Sequence, residues 1–259
     1  MEEQIEVLVG TGIGGQRNIL DAIGKQGFKT KHVGCLWPRD QYVYFNGNYI
    51  FRGEGSNENH FGEGGYFRFG NDYVLIGGGL IDLVTKYKFR DILGMEGNSK
   101  KEEATVGLIQ ETKKHFDGFS IHVVPTGGFR GRGHNHLDMS VLLLPKKRIL
   151  IVDTYFNHFA STGTEIDQIG EREKLKVIRY DGSQDEVWYP LNSLVLDKNG
   201  NDLVFIDSKA DSLKRLLERE NVAFVDIEMP QHQHPSGKIN CQTNIYRKFE
   251  DIEARLGKF

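Results

Sequence analysis

Tyr42-Val43-Tyr44-Phe45-Asn46-Gly47-Asn48-Tyr49-Ile50-Phe51-Arg52 reads as a β-hairpin, with aromatic and β-branched side chains on both arms. Asn46 and Gly47 close it, because both residue types tolerate the positive φ that a tight two-residue turn demands. The same pattern recurs on working outward. Tyr66–Phe69 turns at Gly70-Asn71-Asp72 and returns through Tyr73–Ile76. Met139–Leu144 turns at Pro145-Lys146-Lys147 and returns through Ile149–Asp153. Ser193–Leu196 turns around Lys198–Asn201 and returns through Leu203–Ile206, and a last strand near Thr243–Arg247 precedes a helix-like tail. Helix-like stretches lie between these hairpins, each leading to a strand. They are Arg17–Lys25 (after strand Ile5–Val9) before Lys29–Leu36, Glu102–Phe116 before Ser120–Val124, and Asp211–Arg219 before Ala223–Ile227. The unit is strand–hairpin–helix, repeated about five times without obvious sequence identity.

Every hairpin is entered by a polar or reactive group. Trp37-Pro38-Arg39-Asp40 precedes the first, Glu63-Gly64-Gly65 the second and His136-Leu137-Asp138 the third. Trp188 to Asn192 precede the fourth, and Cys241 the final strand. Units arranged around an axis bring equivalent entrances to one central cavity. A chance scatter of reactive residues has no reason to respect the repeat.

Composition narrows the class. The 259 residues carry a net charge of −3 with no long run of one sign, which speaks against a nucleic-acid or membrane surface. The acidic start, Met1-Glu2-Glu3, is unlike a signal peptide, and no apolar run reaches membrane-spanning length. Two cysteines, Cys35 and Cys241, cannot make a disulfide framework. The expectation is a cytoplasmic protein, built as a single domain over 1–259 because no linker interrupts it. Cys35, inside the Lys29–Leu36 run, is expected in an apolar core strand.

The four motifs, in this order, resemble the penteins: arginine and agmatine deiminases, dimethylarginine dimethylaminohydrolases and amidinotransferases. Arg39-Asp40, Glu63-Gly64-Gly65, His136-Leu137-Asp138 and Cys241-Gln242-Thr243 carry the resemblance, which spans Trp37 to Thr243. It implies an α/β fold, a five-bladed propeller with a pseudo-fivefold repeat. It also implies a hydrolase or amidinotransferase acting on arginine, a methylarginine or an agmatine-like compound. Cys241 is the implied nucleophile, passing through a covalent thiouronium, with His136 as acid and base and Glu63 orienting it. Asp40 and Asp138 hold the guanidinium, with Trp37 and Arg39 among the substrate-binding residues. No cofactor and no metal are expected, the partner is a small guanidino substrate, and a homodimer is compatible with the family.

Two departures bear on the fold. Asp40 and Glu63 are only 23 residues apart, which leaves no room for the helix and strand expected between the first two hairpins. Glu63 and His136 are 73 apart, so material is inserted there. Tyr66 follows Glu63-Gly64-Gly65 where many members carry Asp or Asn, and the glycine run before the nucleophile shrinks to Ser236-Gly237.

The chemistry explains the residue types. A guanidinium is planar, cationic and resonance-stabilised, so attack at its carbon needs carboxylates to fix it, a strong nucleophile, and an acid for the leaving nitrogen. A thiolate suits the step, but an ordinary thiol has a pKa of about 8.5 and needs a neighbouring cation. Other readings compete. Gly10-x-Gly12-x-x-Gly15 has the context of a dinucleotide fingerprint, but no acid ends the next strand and a hairpin follows, so a glycine-rich turn is expected. His134-x-His136-x-Asp138, with His232-x-His234, could ligate the metal of a hydrolase, but Met139 stands where that motif carries His. Arg130 and Arg132 could meet a substrate carboxylate. A pentein-fold binding module without catalysis is the remaining alternative, and it has no need of Cys241, His136 and Asp40 together.

Overall fold

The computed structural model describes residues 6–11, 14–45, 48–52, 63–80, 112–126, 136–157, 164–230 and 239–247, with parts of 103–110 and 250–256. Within them the chain is α/β, with five small sheets. The first holds β1 (Glu6–Val9) between β2 (Lys29–His32) and β14 (Thr243–Tyr246), so the two ends of the chain share one sheet. β3 (Tyr42–Phe45) and β4 (Asn48–Phe51) form a two-stranded sheet, Phe45 facing Asn48 across a two-residue connection. The others are β5 (Phe67–Phe69), β6 (Tyr73–Gly77) and β7 (Ser120–Val124); β8 (Val141–Leu144), β9 (Ile149–Asp153) and β10 (Lys176–Tyr180); and β11 (Leu194–Lys198), β12 (Asn201–Asp207) and β13 (Ala223–Ile227).

Each of these three is an antiparallel hairpin whose second strand gains a parallel partner. A parallel neighbour cannot be reached by a tight turn, and a helix makes the crossover. α1 (Gln16–Lys25) links β1 to β2, α2 (Glu165–Glu173) links β9 to β10, and α3 (Asp211–Arg219) links β12 to β13. The α3 sequence buries Leu213, Leu216 and Leu217, at the i, i+3, i+4 spacing of one helix face.

Period-two alternation then builds the core. Successive strand residues point to opposite faces, and strands β6, β8 and β9 are buried on both. Leu142 and Leu144 of β8 join β12 and α3 in one cluster, whereas Val141 and Leu143 join β6 and α2 in another. Val43 of β3 packs with β5 and β6, while Tyr42 and Tyr44 pack with β1 and β14. Val7 and Val9 of β1 meet β11 and β12. Five apolar clusters thus lie between successive sheets, the last returning to the first.

Several expectations shift. α2 and β10 are elements that the sequence pattern did not announce. The first hairpin gains no third strand among the described residues, as its short spacing required. β2 stops at His32, opposite the end of its partner β1 at Val9, so Cys35 lies beyond the strand and half-buried instead of in a core strand. The Asn46-Gly47 turn, most of Glu102–Phe116, and Arg130, Arg132, His134, His232, His234 and Ser236-Gly237 lie outside the described residues. Gly10 and Gly15 have structural reasons to be glycine. A Cβ on Gly10 would stand 2.4 Å from the Cys35 carbonyl oxygen, and Gly15 caps α1 with φ +75°. No helix among the described residues is long and apolar enough to cross a membrane.

Candidate active site

The hairpin entrances meet. Three are single 3-10 turns, Pro38–Asp40, Gly64–Tyr66 and Leu137–Met139, and the others are turns ending at Asn192 and Asn240–Gln242. Glu63-Gly64-Gly65 has to be glycine-bearing for them to pack. A Cβ on Gly64 would lie 2.8 Å from the Arg39 carbonyl oxygen, and one on Gly65 would lie 2.4 Å from His136 Nδ1. The glycine pair therefore sets how close the first and third entrances come.

Cys241, 3% exposed, is the centre of the cluster. Its Sγ accepts a hydrogen bond from Asn192 Nδ2 at 3.1 Å and faces Asp138 Oδ2 at 3.4 Å. Its backbone N–H donates to Asn192 Oδ1 at 3.3 Å, so one amide holds both ends of the residue. Asp138 is fully buried, and its Oδ2 also accepts from Asn240 Nδ2 at 2.6 Å. One atom each of His136, Asp138 and Cys241 lie within 4.8 Å of one another. His136 Nε2 lies 3.1 Å from Glu63 Oε2, and its Nδ1 3.6 Å from Asp40 Oδ1. Arg52 Nε grips the other Glu63 oxygen at 2.9 Å, and Tyr66 sets its ring edge-on to His136 at 4.4 Å.

Protonation follows from these contacts. Burial pushes the Cys241 thiol well above its ordinary value, and Asp138 and Asp40 raise it further against the Asn192 hydrogen bond. Burial opposes charge on His136, yet Asp40, the Glu63 hydrogen bond and Asp138 together raise it to about 9. Burial raises Asp40 to about 6, with the imidazolium pulling the other way. At neutral pH the site therefore holds a thiol, an imidazolium and a mainly ionised Asp40. Among the described residues, two buried carboxylate oxygens, Asp40 Oδ1 and Asp138 Oδ1, have no hydrogen-bond partner, the first facing the imidazolium only at the longer distance of 3.6 Å. Orphaned acceptors of this kind are costly, and a bound cation with N–H donors would satisfy them.

Of the seven residues singled out from sequence, the structure draws Cys241, His136, Glu63, Asp40 and Asp138 together. Arg39 turns elsewhere, donating to Asn240 Oδ1 at 3.1 Å and to the Asn240 carbonyl at 3.5 Å. Trp37 is half-buried, and its carbonyl accepts the Asp40 N–H at 3.0 Å. Asn192, Asn240 and Arg52 were not singled out. Asn192 stands at the fourth entrance, and its position in the repeat was the one signal available.

His136, Asp138 and Cys241 are also a donor set that a metal ion could use. Both His136 nitrogens face carboxylates and the ring is raised towards the cation, whereas a metal ligand must be neutral imidazole with a free lone pair.

No protein-family model matches the sequence, and no curated protein sequence matches it significantly. Solved structures do match in fold. Dimethylarginine dimethylaminohydrolase from Pseudomonas aeruginosa, complexed with citrulline, superposes with a TM-score of 0.60 at 11% identity, over 94% of this chain and 100% of that one. The agmatine deiminase of Enterococcus faecalis gives 0.58 at 12% identity, over 95% and 94%. A cyanobacterial arginine dihydrolase gives 0.57 at 12% identity, over 93% of this chain and 40% of that one. Identity this low speaks for architecture alone. The chain has the pentein fold, the architecture on which these guanidine-modifying enzymes are built.

Proposed function

We propose that the five sheets are blades around a pseudo-fivefold axis, and that the entrance end of that axis is a cysteine-dependent site for a guanidino compound. The carrying observation is the clustering of Cys241, His136 and Asp138 beside two buried carboxylate oxygens that accept no hydrogen bond among the described residues. A guanidinium offers planar N–H donors and a positive charge, which match Asp40 and Asp138. Its charge also lowers the pKa of Cys241, which burial and the neighbouring carboxylates hold high. Substrate binding itself then generates the thiolate, the thiol proton leaving to solvent because His136 is already protonated.

The Cys241 thiolate attacks the amidino carbon, forming a C–S bond. The protonated His136 gives its proton to a departing nitrogen, whose C–N bond breaks, leaving a thiouronium on Cys241. Neutral His136 then takes a proton from water or from an acceptor amine, which attacks the same carbon. The C–S bond breaks, returning the thiolate and releasing a ureido product or a transferred amidine. Glu63, clamped by Arg52, holds the ring in place for both proton transfers. Asn192 fixes the sulfur. Arg39 is a poor contact for a cationic substrate, and its role here is to position Asn240 and through it Asp138.

The neighbours bound to or named for citrulline, agmatine and arginine favour substrates of that class. A panel of arginine, methylated arginines and agmatine, assayed for ammonia, methylamines and urea, tests this reading. Release of one of these by the wild-type chain and not by Cys241→Ala is expected, and an inert panel would contradict it. The donor set at His136, Asp138 and Cys241 also keeps a metal-dependent hydrolase in view. Activity lost on chelation and restored by zinc would favour that reading over the thiolate.

A further inference from the structure

A cavity of about 350 Å³ opens at the other end of the same strands. The hairpins run from their entrances to tips at Gly70-Asn71, Pro145-Lys146 and Asp197, and residues at these tips line it. Four strand residues separate the two ends, roughly 13 Å at a strand's rise. The cavity reaches inward from the tips as far as Arg39, Ser193 and Asn240 at the entrance end, but none of Cys241, His136, Asp40 or Asp138 lines it. Its volume falls in the range that holds small ligands.

Its walls are chemically unlike the entrance end. Phe45, Phe67, Phe69, Leu143, Leu194 and Ile245 supply an apolar, largely aromatic surface. Its charged lining is led by Arg39 and Arg68, with Arg247 exposed beside them. Lys146 is matched by Asp197 at 3.0 Å, and Asp202 accepts the Lys147 N–H at 2.9 Å. Arg68 is the residue that these pairs do not explain. It is 9% exposed, and among the described residues its Nε and Nη1 make only long hydrogen bonds of 3.4 Å to the Val141 and Phe67 carbonyls and its Nη2 has no hydrogen-bond partner. Asp138, the acid that most favours its charge, is bonded to Asn240 and Cys241 instead. A buried guanidinium served by two neutral carbonyls is incomplete, because a planar fork of donors is best satisfied by a carboxylate.

We propose that this cavity is a binding site for a small organic carboxylate with a flat apolar body. The carboxylate pairs with Arg68 and Arg39 and the body lies among the aromatic side chains. Neither group alone accounts for the site: an inorganic anion leaves the apolar walls unfilled, and a neutral apolar molecule leaves Arg68 unpaired. The proposal does not depend on the guanidine chemistry at the entrance end.

Calorimetric titration of the full chain with phenylpropanoate, its neutral twin phenylpropanamide, and inorganic phosphate tests it. Phenylpropanoate should bind at least about tenfold tighter than either of the others, the scale of one charge-assisted pair. Arg68→Met should erase the preference over the amide and Arg68→Lys should retain it. Methyl NMR on the wild-type chain, which needs no variant to fold, should show the Leu143, Leu194 and Ile245 signals moving on titration. Equal affinity for acid and amide, phosphate binding as tight as phenylpropanoate, absence of binding, or shifts confined to methyls elsewhere would each overturn the proposal.

Discussion

Cys35 and Cys241 are both free thiols whose pKa burial has raised, and their surroundings could hardly differ more. Cys35 is the more accessible of the two, half-buried just past β2, where its carbonyl accepts from the Thr11 N–H. Cys241 is 3% exposed, yet its sulfur lies between an amide donor and a buried carboxylate, with an imidazole within 4.8 Å. Exposure therefore ranks the two thiols one way and chemical partnership ranks them the other. Accessibility invites indiscriminate reagents, whereas reactivity towards a chosen substrate comes from what the neighbours do to charge.

The comparison breaks most visibly at the cysteines themselves. Cys241→Ala should lower turnover of a confirmed guanidino substrate by at least about 10⁴-fold, as expected when a covalent nucleophile is removed. Cys35→Ala should leave kcat and KM within about twofold, since a side chain away from the site falls among near-neutral changes. Steady-state kinetics on both variants checks this, and a comparable loss in each would erase the distinction.

Smaller effects should come from the carboxylates. Asp40→Asn and Asp138→Asn keep shape and remove charge opposite the substrate. Each should weaken binding by roughly 10- to 150-fold, the scale of a charge-assisted hydrogen bond of about 1.5–3 kcal/mol. Normal binding and turnover in both variants would make these carboxylates structural.

What was legible in the sequence was whatever local chemistry enforces. Asn46-Gly47 and the Gly70-Asn71-Asp72 turn mark hairpins because backbone conformation restricts residue choice there. The doubly buried strands β8 and β9 read as apolar runs because both faces pack. α2 escaped because Ile166 and Ile169 are the only large apolar residues among its nine, too thin a stripe to stand out beside α1, which also carries Leu20 and Ala22. β10 escaped with it, since its exposed Lys176 and Arg179 blur the alternation. In the site, the reactive residues were visible by type. Asn192 and Asn240 were not, because an asparagine carries no signal until its partners, Cys241 and Asp138, are placed beside it. Cys35 was misplaced because the apolar look of Val33 and Leu36 hid the break at Gly34.

The pH dependence sharpens the same contrast by a smaller margin. Asp40 has to be ionised to hold a cation, so kcat/KM should rise as pH climbs through about 6. His136 has to be protonated to release the leaving nitrogen, so the profile should fall as pH passes about 9. Asp40→Asn removes the strongest charge raising His136, and the alkaline limb should move down in pH. Alkylation of Cys35 by a neutral reagent should show neither feature of this bell. An alkaline limb unmoved in Asp40→Asn would uncouple the two residues.

The most direct measurement is competitive labelling by chloroacetamidine and by its neutral twin chloroacetamide, read by mass spectrometry of the peptides containing each cysteine. The amidine copies the guanidinium, so Asp40 and Asp138 concentrate it beside Cys241 and its charge favours the thiolate. It should modify Cys241 and spare Cys35, and Asp40→Asn should slow it. Chloroacetamide gains no carboxylate attraction and should react more slowly at Cys241 than the amidine does. Equal labelling of both cysteines by the amidine, or Cys241 labelling indifferent to Asp40→Asn, would mean that no guanidine site is assembled around this thiol.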